Sequence, residues 1–91
     1  MTYVIYNLSN DTNDFVTDSK ESVLMRAGEL IDQGDTYDYQ VLKYNMTYDD
    51  YMDALDADDH LSGSYSVKGF IEQFGAELHY MNYHRQKKNG L

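Results

Sequence analysis

The sequence predicts one small α+β domain over residues 1–91, with a short sheet of two to three strands packed against about three helices in the order β(β)αβαα. Three observations predict it. Two runs, 2–8 and 36–44, alternate in β-branched and aromatic residues, as strands do. Between them, 19–33 repeats apolar residues at helical spacing, and a second helical stripe begins near residue 67. Ninety-one residues hold a single core, not two.

In the first strand, Tyr3, Ile5 and Asn7 share one face and Val4, Tyr6 and Leu8 the other. Apolar groups on both faces predict a central or covered strand. The next six residues, SNDTND, are turn formers, and Phe15, Val16 and Thr17 pair back as a short second strand.

Asp18 is the expected N-cap of the first helix, with Glu21 completing a capping box. Val23, Leu24, Ala27, Leu30 and Ile31 form its apolar stripe, and Gly34 stands where a left-handed residue ends a helix. The strand over 36–44 turns Tyr37, Tyr39 and Val41 one way and Asp38, Gln40 and Leu42 the other. Strand, helix and strand in this order predict parallel pairing with the first strand through a right-handed crossover.

Thr47 caps a short second helix, with Asp50 at the capping-box position. Tyr48, Tyr51, Met52 and Leu55 fall on one face, expected to be packed, and Asp49, Asp50, Asp53 and Asp56 on the other. Asp58 to Ser64 reads as a loop. The last helix is expected over about 67–86, with the stripe Val67, Phe70, Ile71, Phe74, Leu78 and Met81. Gly69 and Gly75 each cost it about 1 kcal/mol relative to alanine, which predicts close packing of its backbone against another element. Arg85, Lys87 and Lys88 complement the dipole at its C-terminal end.

The chain is strongly acidic, at a formal net charge of −9. Residues 1–60 hold 14 acids and 3 bases, and residues 61–91 hold 2 acids and 4 bases. Such a body repels nucleic acid and anionic membranes, so direct binding to either is not expected. The absence of cysteine excludes thiolate chemistry and disulfides. No apolar run has the length of a membrane span or a signal peptide, so a cytoplasmic protein is expected.

No catalytic constellation stands out. The glycines form no phosphate loop, and no serine sits in a nucleophile elbow, so an enzyme is not expected and no cofactor is implied. The run DALDADDHLSGS fails as a calcium loop in both registers. From Asp56, Leu61 replaces the glycine and Val67 the glutamate; from Asp58, His60 takes a ligand position and Gly69 the last. Weak cation binding by Asp56, Asp58 and Asp59 is the most this run offers. His79 and His84, five apart, do not share a helix face as a metal pair would, so no metal site is expected.

The distinctive stretch is DTYDYQVLKYNMTYDDYMDALDADD, residues 35–59. It has eight carboxylates against one base, Lys43, and five of the ten tyrosines. Charge runs are ordinarily solvated faces, but these carboxylates fall at helix and strand spacing. Asp38, Asp49, Asp50, Asp53, Asp56, Asp58 and Asp59 form a series of anions matched to a groove of Arg and Lys. Tyr37, Tyr39, Tyr44 and Tyr65 are the expected contact tyrosines, since tyrosines give contact area at low entropic cost. Tyr48 and Tyr51 are expected to serve mostly the core.

A small, acidic, tyrosine-rich single domain without cysteine or proline resembles the DNA-mimic and anti-defence proteins of bacteriophages. That resemblance is compositional and carries no motif. It implies an inhibitor, monomeric or homodimeric, that occupies the basic nucleic-acid-binding surface of a nuclease, CRISPR effector or polymerase in the cytoplasm of an infected bacterium. The basic C-terminal end departs from a whole-surface mimic and favours one acidic face on an otherwise ordinary domain. The alternative is a structural or oligomerising module, with a solvated acidic face, that self-associates through the apolar stripe of the last helix.

Overall fold

A computed structural model, which describes residues 1–76, places the first strand at the centre of a four-stranded antiparallel sheet. The strands are β1 (Thr2–Asn7), β2 (Thr12–Thr17), β3 (Tyr39–Tyr44) and β4 (Leu61–Ser66), in the spatial order β2-β1-β3-β4. The helices are α1 (Lys20–Gln33), α2 (Tyr48–Asp53) and α3, helical over 67–76. A 3₁₀ turn, Ala57–His60, links α2 to β4.

The two-sided apolar pattern of β1 is explained by its position. Tyr3 and Ile5 face α1 and α3, in a core with Val23, Leu24, Ala27, Leu30, Val41, Val67 and Phe70. Val4 faces the other way and is also fully buried. Each such side chain contributes about 1.5–3 kcal/mol by leaving water. Beside Phe70, the rings of Tyr65 and Phe74 stack edge-on or tilted with centroids 4.9–5.7 Å apart.

Asn7 shapes the β1–β2 hairpin. Its Oδ1 accepts from the backbone N–H of Ser9 and of Asn10, and Asp11 turns the chain at φ 54°. Only residues 8–11 are spent on this turn, so β2 begins at Thr12, earlier than the turn-former run suggests. A register shift opposite Ile5 and Tyr6 absorbs Asp14 as a bulge.

The N-cap of α1 is Ser19, not Asp18: the Ser19 side chain accepts from the N–H of Ser22. Asp18 sits one residue outside, so the capping box with Glu21 does not form. The helix ends as its sequence indicates. Gly34 adopts φ 76°, and the N–H groups of Gly34 and Asp35 return to Ile31 and Leu30.

The predicted parallel pairing is corrected. β3 runs antiparallel to β1, from Thr2 opposite Tyr44 to Asn7 opposite Tyr39. The strand that feeds α1 is β2, and β2 and β3 both oppose β1, so they are parallel to each other with β1 between them. The crossover rule therefore applies to β2 and β3. The predicted strand over 36–44 also shortens at its start, because Thr36, Tyr37 and Asp38 form the approach to β3.

β4 replaces the predicted loop over 58–64. It pairs with β3 from Gln40 opposite Ser66 to Tyr44 opposite Leu61. The ring of Tyr65 lies over Gly63, where an added Cβ would come within 2.7 Å of the Tyr65 hydroxyl. The glycine in this strand makes room for that ring.

The helices do not all lie on one face of the sheet. Pairing puts Thr2, Val4 and Tyr44 on the face away from α1, where Tyr51 of α2 packs on Tyr44. The apolar stripe of α3 holds as far as it is described. Val67 and Phe70 are fully buried, and Ile71 and Phe74 pack beside them. An added Cβ at Gly69 would come within 2.8 Å of Ser66 Oγ at the end of β4, which accepts from the Gly69 N–H, whereas at Gly75 it would meet Ile71 of α3 itself, 3.2 Å away. Leu78, Met81, the His79/His84 pair and the basic end at Arg85, Lys87 and Lys88 lie outside the described residues.

Candidate functional site

α2 carries the acidic stretch across the second face of the sheet. Thr47 caps it as expected, accepting from the N–H of Asp50 at 3.1 Å. Asp49 and Asp50 in the first turn are stabilised by the N-terminal dipole. At the other end the charges oppose the dipole, and the helix stops at Asp53, leaving Ala54 extended. Asp56 therefore lies beyond the helix rather than on its predicted acidic face. The 3₁₀ turn then presents Asp58 and Asp59, and the N–H of Asn45 bonding to the carbonyl of His60 ties this turn back to the end of β3.

Asp49, Asp50, Asp53, Asp56, Asp58 and Asp59 are all exposed, and none forms an ion pair with a described residue. From residue 44 to residue 67 there is no Lys or Arg, so the segment itself supplies none of either to pair with the group. Among the described residues, no three acidic or histidine side chains converge as metal ligands.

One residue docks α2. The ring of Tyr51 meets that of Tyr44 with centroids 4.9 Å apart, and its hydroxyl accepts from Asn13 Nδ2 at 3.0 Å. Thr2 Oγ1 donates to the carbonyl of Met46 at 3.0 Å and holds the approach to the helix. Burial raises the pKa of both phenols above 10.0, and the carboxylate of Asp58 nearby adds to each shift. For Tyr44 the Tyr51 hydroxyl raises it further, whereas the Asn13 bond partly offsets the shift of Tyr51. Both rings stay neutral at the base of the acidic surface.

The contact tyrosines are redistributed. Tyr44 is 4% exposed and belongs to the interior, so it is no contact residue. Tyr65 packs on Phe70 and Phe74. Tyr39 is half-buried against the core. Its pKa is raised by burial first and then by its hydrogen bond to Asp14. Tyr37 stands in solvent at 88% exposure.

Tyr37, Asp38 and Tyr39 stand at the end of β3 remote from Tyr44, the ring that meets α2; the strand between is about 17 Å long at the usual rise per residue. Asp38 closes the hairpin end of the sheet: its carboxylate accepts from Ser9 Oγ at 2.9 Å and its carbonyl from the N–H of Leu8 at 2.7 Å. Beside it, Leu8, Tyr37, Tyr39, Gln40 and Lys68 line an open groove of about 300 Å³, with Lys68 Nζ 5.8 Å from the Tyr37 ring centre.

The expectation of a packed face on α2 fails in an informative way. Of its four apolar members only Tyr51 turns inward. Met52 is 59% exposed, Leu55 fully exposed, and Tyr48 is exposed over 37% of its surface. The signal for this was the length of the segment: a helix of six residues makes too few turns to bury a stripe and hold an acidic face.

No family model, no curated protein and no solved structure matches this chain. No helix among the described residues is long and apolar enough to cross a membrane.

Proposed function

We propose that this is a non-enzymatic binding protein, an inhibitor of DNA-mimic type. In this reading the carboxylates of α2 and the 3₁₀ turn occupy the basic nucleic-acid-binding surface of a partner protein in the bacterial cytoplasm. The observation that carries it is the run of six exposed carboxylates within residues 49–59, none ion-paired among the described residues. Neighbouring carboxylates three and four residues apart on a helix stand about 5–6 Å apart at Cβ, a spacing an Arg/Lys groove can read. Asp38 and Tyr39 have local structural roles and are left out of this surface.

The self-association reading has less support. The described part of the stripe on α3 is spent on the core, with Val67 and Phe70 fully buried.

The test is affinity capture from a bacterial lysate with tagged protein, washed at low and high salt and with competing duplex DNA. A nucleic-acid-handling protein displaced by salt and by DNA is the expected result, and Asp49→Asn, Asp50→Asn, Asp53→Asn and Asp56→Asn together abolish its capture. Unchanged capture by a folded quadruple variant sinks the proposal.

A further inference from the structure

The residues of α2 that fail to pack point to the kind of surface this protein engages. Resting on the acidic-face reading, we infer that α2 docks against a basic amphipathic helix of a partner, through a ridge of Tyr48, Met52 and Leu55 rimmed by carboxylates.

At about 100° per residue, Tyr48 and Met52 share one side of α2, between inward-facing Tyr51 and the row Asp49, Asp53. Asp50 lies on the far side. Leu55 follows on the extended segment, fully exposed. Single exposed apolar side chains are ordinary on a protein surface. Here three of them fall within eight residues, on and just after a helix that buries no residue fully. An i, i+4 pair is also the ridge with which one helix packs into the groove of another.

Charge decides the occupant. Within residues 44–67 the acidic side chains are all carboxylates and no Lys or Arg is present, so an acidic or neutral helix gains nothing at the rim. A helix with Lys or Arg beside an apolar stripe matches both parts. A nucleic-acid mimic acting by charge alone has no use for Met52 and Leu55.

Two synthetic helical peptides of about 18 residues, long enough to form helix on docking, test this. One carries Leu along one face and Lys elsewhere; the other keeps every Lys and replaces Leu by Gln. The expected result, by titration at low salt, is at least tenfold tighter binding of the Leu peptide. Met52→Ser with Leu55→Ser removes that difference and leaves urea stability unchanged, since both side chains are in solvent. Asp49→Asn, Asp50→Asn, Asp53→Asn and Asp56→Asn together abolish binding of both peptides.

Equal affinity for the two peptides overturns this inference and leaves the acidic-face reading standing. Binding of neither overturns both. If sedimentation shows the protein alone to be a dimer that the Met52/Leu55 double variant dissolves, the ridge is covered by a second copy and the inference is likewise overturned.

Discussion

Tyr51 and Tyr44 form the joint between the acidic segment and the sheet, with ring centroids 4.9 Å apart and an interplanar angle of 51°. No residue of α2 itself is fully buried, so this contact and the Asn13 bond carry most of its attachment.

Tyr51→Ala is expected to cost about 1–3 kcal/mol, less than a full core truncation because the ring is half-buried. Urea unfolding gives the loss. Hydrogen exchange localises it, with faster exchange over 47–60 and unchanged protection in α1. Tyr51→Phe keeps the ring contact and is expected to lose only about 0.5–1.5 kcal/mol, the net value of one hydrogen bond.

The raised pKa values of Tyr44 and Tyr51 fix the sign of an alkaline effect. The folded protein holds these phenol protons more tightly than the unfolded chain does. Their contribution to stability is therefore fully present below about pH 10, the unfolded value, and is lost as pH rises through the folded values. Urea midpoints measured at increasing pH above 9 are expected to fall, and to fall less in Tyr51→Phe. Tyrosinate absorbance is expected to titrate late for three rings, Tyr39, Tyr44 and Tyr51.

Capping separates Ser19 from Asp18. Ser19→Ala removes the acceptor for Ser22 N–H and is expected to cost about 1 kcal/mol, whereas Asp18→Ala stays within about 0.5 kcal/mol. Thermal melts of the two variants side by side check this, and equal losses would return the cap to Asp18.

Phe70 is fully enclosed by Tyr3, Tyr65 and Phe74. Phe70→Ala is expected to cost about 3–5 kcal/mol, a large share of the stability of a domain this size. Chemical denaturation followed by circular dichroism measures it.

What was legible in the sequence was local. The two-sided pattern of β1, the stripe and glycine stop of α1, and the Thr47 cap all rest on spacing within a few residues. The misses needed information from far along the chain. β4, LSGSYS, has too much serine and glycine to announce a strand, and is held as one by pairing with β3. The direction of β3 depended on which strand feeds α1, and the hairpin had already made that β2. Tyr44 looked available for contact because alternation alone does not show that a helix covers the second face. At the candidate site, the carboxylates of 49–59 were legible as exposed, but that Asp38 sits at the end of β3 remote from Tyr44 follows only from the bounds of the strand.

β3 and β4 are adjacent strands, and Asn45 and His60 close the ladder between them. The acidic segment is therefore an excursion that leaves and re-enters the sheet at neighbouring points. Lengthening such an excursion adds little to the entropy of closing it, about 0.6 kcal/mol for each doubling. Residues gained or lost between Ala54 and Asp59 shift no strand register and leave the Tyr51 anchor in place. Natural variants of this protein are expected to differ most there in length and charge order, while the sheet beneath them keeps its dimensions.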